Sequence, residues 1–315
     1  MRAMSLARAE NAPMRNGGKS IIVVLGMHRS GTSAVTRGLV VLGVELGNHL
    51  LPPAWNNEKG FFEDADVYAI NMALYRSLKR PLRWHTPASV PKSELLHEKN
   101  TPLRQLAIEL LRSRLATAEY FGIKDPRICR TLPFWQSVFE HLELNVSYVI
   151  AVRNPLSVAK SLEKRNNLSP EKCHYLWLDH VLPAVLLTRG SPRVLVDYDL
   201  LLADPQKQIS RIAVHLGLVK RLDPSRLVDF SQNFLDRRLR HTRFEPEDIY
   251  HDPVVPTPVR TASTVLSDVA ADNLSLDSEY VAEVFENLSR QMQRRFRFLF
   301  GQNFLLDLFG QRENK

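Results

Sequence analysis

Cysteine is scarce in this chain, with only Cys129 and Cys173 among its 315 residues. Two cysteines are too few for a disulfide scaffold, and they lack the paired spacing of a structural zinc site. Long apolar runs are also missing, because charged residues or proline interrupt every candidate, such as residues 181–187, so no membrane-spanning helix is predicted. Low-complexity segments and internal repeats do not occur either. These absences predict a soluble globular protein of a reducing cytoplasm.

Basic side chains outnumber acidic ones, and this excess predicts an anionic partner. Lysine and arginine total 42 against 34 aspartates and glutamates, a formal net charge of +8. Nucleic acid is disfavoured, because no zinc-finger spacing or aromatic RNA-binding motif is present and the arginines are scattered over several elements. We therefore expect a phosphorylated small molecule as the partner, while peripheral contact with an acidic membrane surface stays open.

Short β-branched runs alternate with helical patterns along most of the chain. Strands are predicted over residues 21–25, 120–124, 146–152 and 193–196, and helices over 32–42, 64–78, 102–118, 131–141, 156–164, 171–187 and 205–216. Such alternation is typical of a parallel sheet covered by helices on both faces. The predicted fold class is therefore α/β, a three-layer sandwich with a central parallel sheet flanked by helices.

The ends of the chain and one internal stretch differ from this pattern. The N-terminal residues are basic but lack the apolar stretch of a secretory signal, and four prolines between residues 244 and 258 interrupt any regular pattern. We expect a flexible tail over residues 1–19, one domain over 20–300 with an irregular loop region at 239–262 and a helix at 276–300, and a C-terminal tail over 301–315.

The final helix is predicted from apolar residues at intervals of four, namely Tyr280, Val284, Leu288 and Met292. This stripe would pack against the rest of the domain. The helix ends in the basic and aromatic sequence QRRFRFLF. Such an end fits a helix docked on the core with its arginines reaching water, and it also fits a patch that touches a membrane surface.

A glycine-rich loop, GMHRSGTS, follows the first predicted strand. Four residues separate Gly26 from Gly31, and hydroxyl residues open the next helix. Glycines let backbone amides turn toward an anion, and a helix N-terminus adds partial positive charge. The loop therefore predicts a phosphate site in a P-loop-like fold, although a simple glycine turn with Ser30 or Thr32 capping the helix is the alternative. The predicted members of the site are Gly26, His28, Arg29, Ser30, Gly31, Thr32 and Ser33.

A second phosphate signal follows the third predicted strand. In AVRNPLSVAKSL, Ser161 comes eight residues after Arg153, and Asn154 with Pro155 opens a helix that places Ser161 about two turns in. An arginine and a serine so placed would share one phosphate. Because both signals follow strand ends, where open α/β sheets bind ligands, we expect them to belong to one site.

These motifs resemble the phosphate sites of the PAPS-dependent sulfotransferase family, whose donor is 3′-phosphoadenosine 5′-phosphosulfate (PAPS). GMHRSGTS is similar to the family's 5′-phosphosulfate loop, and the segment from Arg153 to Ser161 is similar to its 3′-phosphate site. GIKDPR at residues 122–127 and the stretch at 196–218 resemble segments of bacterial members. The resemblance implies a bacterial nucleotide-binding transferase that uses PAPS, releases the bisphosphate PAP and requires no metal.

The sequence departs from the family at one point. The Arg-Lys-Gly segment that completes the 3′-phosphate site in eukaryotic cytosolic members is missing. Arg237, Arg238 and Arg240 are candidates to replace it. The residues that complete this site are therefore left open.

Sulfuryl transfer needs positive charge near the leaving oxygen, and Arg29 and Lys124 are predicted to supply it from neighbouring strand ends. Lys124 also matches a lysine in the family's second motif. The alternative for Lys124 is an ordinary strand-end ion pair with Asp125.

The acceptor must lose a proton, and Glu63 at the start of the second helix is the predicted base. The alternative is that Glu63 and Asp64 merely cap that helix. If Glu63 were unsuitable, Glu58, Asp64 or His241 would take the role. Histidines such as His85 are more often structural than catalytic.

Two other functions fit parts of the pattern. A P-loop kinase or nucleotide hydrolase would share the loop, but Thr32 stands where that motif has its lysine. A non-catalytic polyanion-binding protein would explain the charge but not two ordered phosphate motifs. Sequence does not identify the acceptor or the oligomeric state; we expect a small molecule or glycan, with a carbohydrate or glycolipid hydroxyl, or an amine, as the reacting group.

Overall fold

The centre of the protein is a sheet of four parallel strands. The computed structural model describes residues 18–54, 57–79, 82–88, 90–236 and 242–300, the last five of them by their backbone alone. The strands are β1 Ser20–Leu25, β2 Tyr120–Lys124, β3 Asn145–Val152 and β4 Arg193–Asp197, in the spatial order β2-β1-β3-β4. Each strand end lies within one residue of its predicted position.

Helices follow the strands on both faces of the sheet. Those of the first half are α1 Thr32–Leu39, α2 Ala65–Ser77, α3 Lys92–Leu95, α4 Thr101–Thr117, α5 Ile128–His141 and α6 Pro155–Asn166. Those of the second half are α7 Pro170–Leu186, α8 Tyr198–Ala203, α9 Pro205–His215, α10 Pro224–Asp229, α11 Asp248–His251, α12 Thr257–Ala270 and α13 Glu279–Phe300.

Strand β1 shows why the sheet needs helices on both sides. Ile21, Val23 and Leu25 are buried in one apolar cluster together with α2, α4, α5, α7, α12 and α13. Ile22 and Val24 point the other way, into a second cluster with α1 and α9. Successive side chains of a strand alternate between faces, so a strand that is apolar at every position must be covered twice. The predicted three-layer α/β sandwich is confirmed.

The order of the strands places a crevice at the carboxyl end of β1. From β1 the chain continues to β2 on one side of it and then crosses to β3 on the other side. Helices that leave neighbouring strands toward opposite faces leave a gap between them at this point, and open α/β sheets bind ligands there. The loops after β1, β2 and β3 all open toward this edge.

The region predicted as irregular contains two helices. The prediction for residues 239–262 is wrong at α11 and at the start of α12, while residues 237–241 lie outside the described part of the chain. Pro258 falls in the first turn of α12, where the missing N–H of proline has no helical partner to lose. Pro258, which the sequence pattern indicates as a residue that interrupts regular structure, therefore marks the start of a helix.

Helix α13 is where the sequence predicts it, but the buried stripe differs. Val281, Phe285, Leu288 and Met292 are buried, whereas Tyr280 is 56% exposed. An interval of four residues overshoots a helical turn by about 40°, so a strict four-residue pattern drifts off the contact face. None of the helices in the described residues is both long and apolar enough to cross a membrane. The predicted tails, apart from residues 18 and 19, lie outside the described residues.

Candidate functional site

The loop between β1 and α1 has a backbone that only glycine permits at two positions. Gly26 has φ 151° and Gly31 has φ 79°. A Cβ atom on Gly26 would lie 2.4 Å from the carbonyl oxygen of Ala151, and one on Gly31 would lie 2.1 Å from Cδ2 of Tyr198. Arg29 also has positive φ, 72°, a conformation that costs free energy in a residue with a Cβ.

No side chain of the described residues caps helix α1, whose N-cap is Gly31. The alternative interpretation, in which Ser30 or Thr32 caps the helix, is therefore wrong. Ser30 is 1% exposed, and its hydroxyl has no hydrogen-bond partner among the described residues. The backbone amides at this helix start are thus left to an external acceptor such as a phosphate oxygen.

A buried thiol holds the start of the loop. The amide of Gly26 donates a hydrogen bond to Sγ of Cys129 at 3.0 Å, and burial raises the pKa of this thiol to about 12. The thiol is consequently neutral and acts as an acceptor rather than as a nucleophile. It anchors the loop to α5 behind the crevice.

The two predicted phosphate motifs meet directly. Arg29 donates from Nε to the hydroxyl of Ser161 at 2.7 Å, although the two residues are 132 positions apart. Burial, followed by the charge of Arg153, lowers the pKa of Arg29. The loop after β1 and the helix after β3 therefore form a single cationic site, as their strand ends predicted.

Arg153 occupies the carboxyl end of β3 and is held from several sides. It donates from Nη2 to the carbonyl oxygen of Thr242 at 2.7 Å, and its guanidinium carbon lies 5.1 Å from the ring centroid of Tyr198. Asp199 is near, with Oδ1 at 3.8 Å from Nε of Arg153. These contacts orient the guanidinium of Arg153, which lines the crevice. A guanidinium is suited to bind a pair of anionic oxygens.

Lys124 forms a buried ion pair with Glu63. The Nζ to Oε1 distance is 2.8 Å, and the two residues are 2% and 6% exposed. The alternative pairing of Lys124 with Asp125 is wrong, because Asp125 instead accepts from Nη1 of Arg127 at 2.8 Å. Ser33 lies at the same point, with its hydroxyl 3.5 Å from Nζ of Lys124. Lys124 thus joins the phosphate loop to the predicted base.

Glu63 and its neighbour Asp64 have different surroundings. Asp64 accepts from the amides of Asp66 and Val67, so it alone caps α2, and it also pairs with Arg114 at 2.9 Å. Glu63 turns into the crevice instead. Burial raises the pKa of Glu63, while the charge of Lys124 opposes this shift. Capping therefore explains Asp64 but not Glu63.

His28 lies in the wall of the crevice, with its ring centroid 4.6 Å from that of Trp84. Burial, followed by the charge of Arg127, lowers the pKa of His28 well below 6.5, so the imidazole is neutral at pH 7. His85 is not among the residues that line the crevice, and its Nδ1 lies 3.4 Å from Nζ of Lys172. The remaining candidate histidine, His241, and the three arginines at 237, 238 and 240 lie outside the described residues.

The crevice encloses a cavity of about 230 Å³. The predicted site residues that line it are His28, Arg29, Gly31, Thr32, Ser33, Glu63, Lys124 and Arg153, and Glu58 lies there as an exposed residue. Gly26 and Ser30 are buried behind the lining residues. Ser161 adjoins the crevice through its hydrogen bond with Arg29. The roles of these residues stay predictions.

Sequence reasoning missed several residues of this wall, among them Lys59, Arg165 and Tyr198. Arg165 had a usable signal, because residues four apart on a helix share a face and it follows Ser161 by four positions. The sequence contains no such signal for Lys59 or Tyr198. Their place in the wall depends on how the segments after β1 and β4 fold over the crevice.

An acidic cluster outside the crevice has another explanation. His49, Asp64 and Asp66 present ligand-type atoms within 4.8 Å of one another. Arg114, however, donates to Oδ2 of Asp64 and to Oδ2 of Asp66. A guanidinium already occupies the oxygens that a metal ion would need, so the cluster is an ion-pair network.

Comparison with known proteins gave matches among solved structures only. No family model and no curated protein matches this sequence. The sulfotransferase domain of the Synechococcus PCC 7002 olefin synthase matches with a TM-score of 0.41 and 17% identity, over 89% of this chain and 97% of that domain. The sulfotransferase domain of the curacin biosynthetic pathway matches with a TM-score of 0.39 and 18% identity, over 87% of this chain and 97% of that domain. TM-scores and identities this low indicate only a loosely similar chain trace. They carry no argument about the chemistry of the site.

Proposed function

We propose that this chain is a sulfotransferase that moves the sulfuryl group of PAPS to a hydroxyl or amine of a small molecule or glycan. The observation that carries the proposal is the contact between Arg29 and Ser161, 2.7 Å long, which unites the two phosphate motifs beside the Lys124 and Glu63 pair. A turn that bound only one phosphate would need no second motif at this place. The arrangement fits a donor with phosphates at both ends of its ribose.

Each end of the donor has its own set of residues in this proposal. The amides of the loop, together with Arg29 and Lys124, would bind the 5′-phosphosulfate, and Arg153 with Ser161 would bind the 3′-phosphate. Positive charge at Lys124 would stabilise the charge that develops on the bridging oxygen as the S–O bond breaks. The fixed ion pairs and the strained loop hold these groups in place before the reaction.

The acceptor's proton would pass to Glu63. The acceptor oxygen forms the new bond to sulfur, the bond from sulfur to the bridging phosphate oxygen breaks, PAP leaves, and the carboxylate takes the proton. A raised pKa makes Glu63 a better base than an exposed carboxylate, and its contact with Lys124 favours the ionised form. We propose a carbohydrate or glycolipid as the acceptor and the cytoplasm as the location.

Nucleotide titration tests the proposal. In isothermal titration calorimetry without magnesium, PAP should bind with a Kd in the micromolar range or below, and it should raise the melting temperature by mass action. The expectation follows because the proposal assigns both phosphates to side chains and backbone amides of the protein and assigns no role to a metal. The matched comparison is ATP with Mg²⁺, which carries a triphosphate but no 3′-phosphate. Tighter binding of ATP than of PAP, seen only with magnesium, would favour the kinase alternative instead.

A further inference from the structure

Arg165 is a cation in the crevice to which the proposed function assigns no role. It lies one helical turn after Ser161 on α6 and lines the same cavity. Its guanidinium carbon is 5.2 Å from the ring centroid of Trp84, a cation–π contact that fixes its direction. Nε of Arg165 donates to Oδ1 of Asn166 at 2.6 Å. The side chain is therefore oriented but lacks an opposite charge in these contacts.

Two other arginines withdrawn from water, both in the described part of the chain, have a carboxylate beside them. Arg130 pairs with Asp179 at 3.0 Å, and Arg193 pairs with Asp277 at 2.7 Å. For Arg165 no carboxylate within the described residues is in ion-pair distance. Its pKa is lowered to about 10 by burial and by the charge of Arg29. A cation that is buried next to a second cation has an unfavourable electrostatic free energy. A bound anion would offset this unfavourable term.

Three arginines, Arg29, Arg153 and Arg165, line this part of the crevice. Arg29 donates to Ser161, the charge of Arg153 acts on Arg29, and the charge of Arg29 acts on Arg165. A phosphate monoester, which carries up to two negative charges and several acceptor oxygens, matches three guanidinium groups and a hydroxyl.

We propose that Arg165 is the third arginine of the 3′-phosphate site and determines the preference for nucleotides that carry a 3′-phosphate. The residue would thus do the work of the Arg-Lys-Gly segment that this sequence lacks. The inference rests on the proposed function, because it takes the nucleotide to be PAP. It goes beyond that function by assigning the missing part of the site to the helix that carries Ser161, and not to the arginines at 237–240.

The test compares two adjacent cationic residues of α6. Arg165→Met keeps an apolar stem against Trp84 but removes the charge, whereas Lys164→Met removes the same charge from an exposed neighbour. Calorimetric Kd values are measured for PAP and for adenosine 5′-phosphate, which lacks the 3′-phosphate. Arg165→Met should weaken PAP binding about 10- to 100-fold and leave adenosine 5′-phosphate within about twofold. Lys164→Met should change neither value appreciably.

The outcomes separate this inference from the function beneath it. If the unaltered protein prefers PAP and Arg165→Met keeps that preference, the assignment of Arg165 is wrong while the proposed function stands. Equal weakening of both nucleotides would also overturn it, since Arg165 would then act as general positive charge. If the unaltered protein binds PAP no better than adenosine 5′-phosphate, the proposed function fails and the inference fails with it. Arg165→Lys, which keeps the charge without the planar fork, should recover part of the PAP affinity.

Discussion

At the scale of single residues, Glu63 and Asp64 show how adjacent carboxylates acquire separate tasks. Asp64 accepts hydrogen bonds from two backbone amides at the start of α2 and pairs with Arg114, so both of its carboxylate oxygens have structural partners. Glu63, one position earlier, lies 2.8 Å from Lys124 in the crevice. The direction of each side chain, and not its chemical type, separates a structural role from a proposed catalytic one.

The first residue-scale prediction concerns Glu63→Gln. The amide keeps the size of the carboxylate but removes its basicity, so turnover should fall about a hundredfold or more. The Kd for PAP should stay near its original value, because Glu63 is assigned to the acceptor and not to the donor. Steady-state kinetics with PAPS and calorimetry with PAP provide the two measurements.

Asp64→Asn is the matched control for this prediction. Asparagine is as good an N-cap as aspartate, so α2 should persist, and loss of the pair with Arg114 should cost stability but not turnover. Near-normal turnover of Glu63→Gln, with a stability loss like that of Asp64→Asn, would assign Glu63 to structure. Glu58 would then be the remaining described candidate for the base.

At the scale of elements, the loop after β1 is shaped by its fit against the start of α8. Tyr198, the first residue of α8, packs against Gly31 so closely that a Cβ would approach Cδ2 to 2.1 Å. The same ring lies under the guanidinium of Arg153. One aromatic side chain therefore fixes both the loop and the arginine that follows β3.

Gly31→Ala and Gly190→Ala form a natural pair for testing this fit. Both glycines have positive φ, 79° and 83°, but an added Cβ at Gly190 meets nothing within 4 Å. Gly190→Ala should cost only the backbone strain, about 1 to 2 kcal/mol of unfolding free energy. Gly31→Ala adds overpacking against Tyr198 and should cost about 2 to 5 kcal/mol.

Urea unfolding followed by circular dichroism measures both free energies. The double variant Gly31→Ala with Tyr198→Ala should lose less than the sum of its two single changes, because the close approaches to Cδ2 and Cγ of the ring disappear and only the approach to Cβ, at 2.8 Å, remains. Equal losses at Gly31 and Gly190 would mean that the loop yields around Tyr198, and the tight fit between loop and helix would then be wrong.

At the scale of the whole molecule, buried histidines set the response to acid. Burial lowers the pKa of His180 to about 3 and that of His174 to about 4. An unfolded histidine titrates near 6.5, so between these values the unfolded chain binds more protons. The stability contributed by these neutral rings is present above pH 6.5 and is lost as the pH falls toward 3. Asp197, whose pKa burial raises to about 6, acts in the opposite direction from pH 4 to 6.

His180→Asn should flatten this dependence. Nδ1 of His180 contacts the carbonyl oxygen of Leu176 at 2.7 Å, and an asparagine amide can donate in its place without titrating. Between pH 4 and 6 the slope of unfolding free energy against pH should fall by about 1.4 kcal/mol per unit. The slope is the diagnostic quantity, because the smaller side chain also costs stability at every pH.

Urea titrations at several pH values measure this slope. His141→Asn, at an exposed position at the end of α5, is the matched control for replacing a histidine by asparagine. The same slope in His180→Asn as in the unaltered protein would show that His180 is protonated in the fold or that the ring is open to water.

Local patterns predicted much of the fold, while errors arose where a local pattern had two meanings. The runs of β1 to β4 are mostly apolar on both faces of the strand, so the sequence pattern located them. Pro258 was different, since proline ends a helix from within but begins one at the first turn. Which meaning holds depends on whether Val259, Ala262 and Leu266 have a surface to pack against.

The sequence by itself determined the α/β alternation, the glycine turn at residues 26–31 and the two motifs that predict phosphate sites, because each depends on neighbours in the chain. Only the tertiary structure decided that Arg29 meets Ser161 and that Lys124 meets Glu63, across 132 and 61 positions. Those contacts require the order β2-β1-β3-β4, which gathers three strand ends at one crevice. The same contacts also require the four side chains to point toward that crevice. The packing of α2, α6 and α8 around the crevice decides where they point, because close-packed neighbours leave each side chain few rotamers.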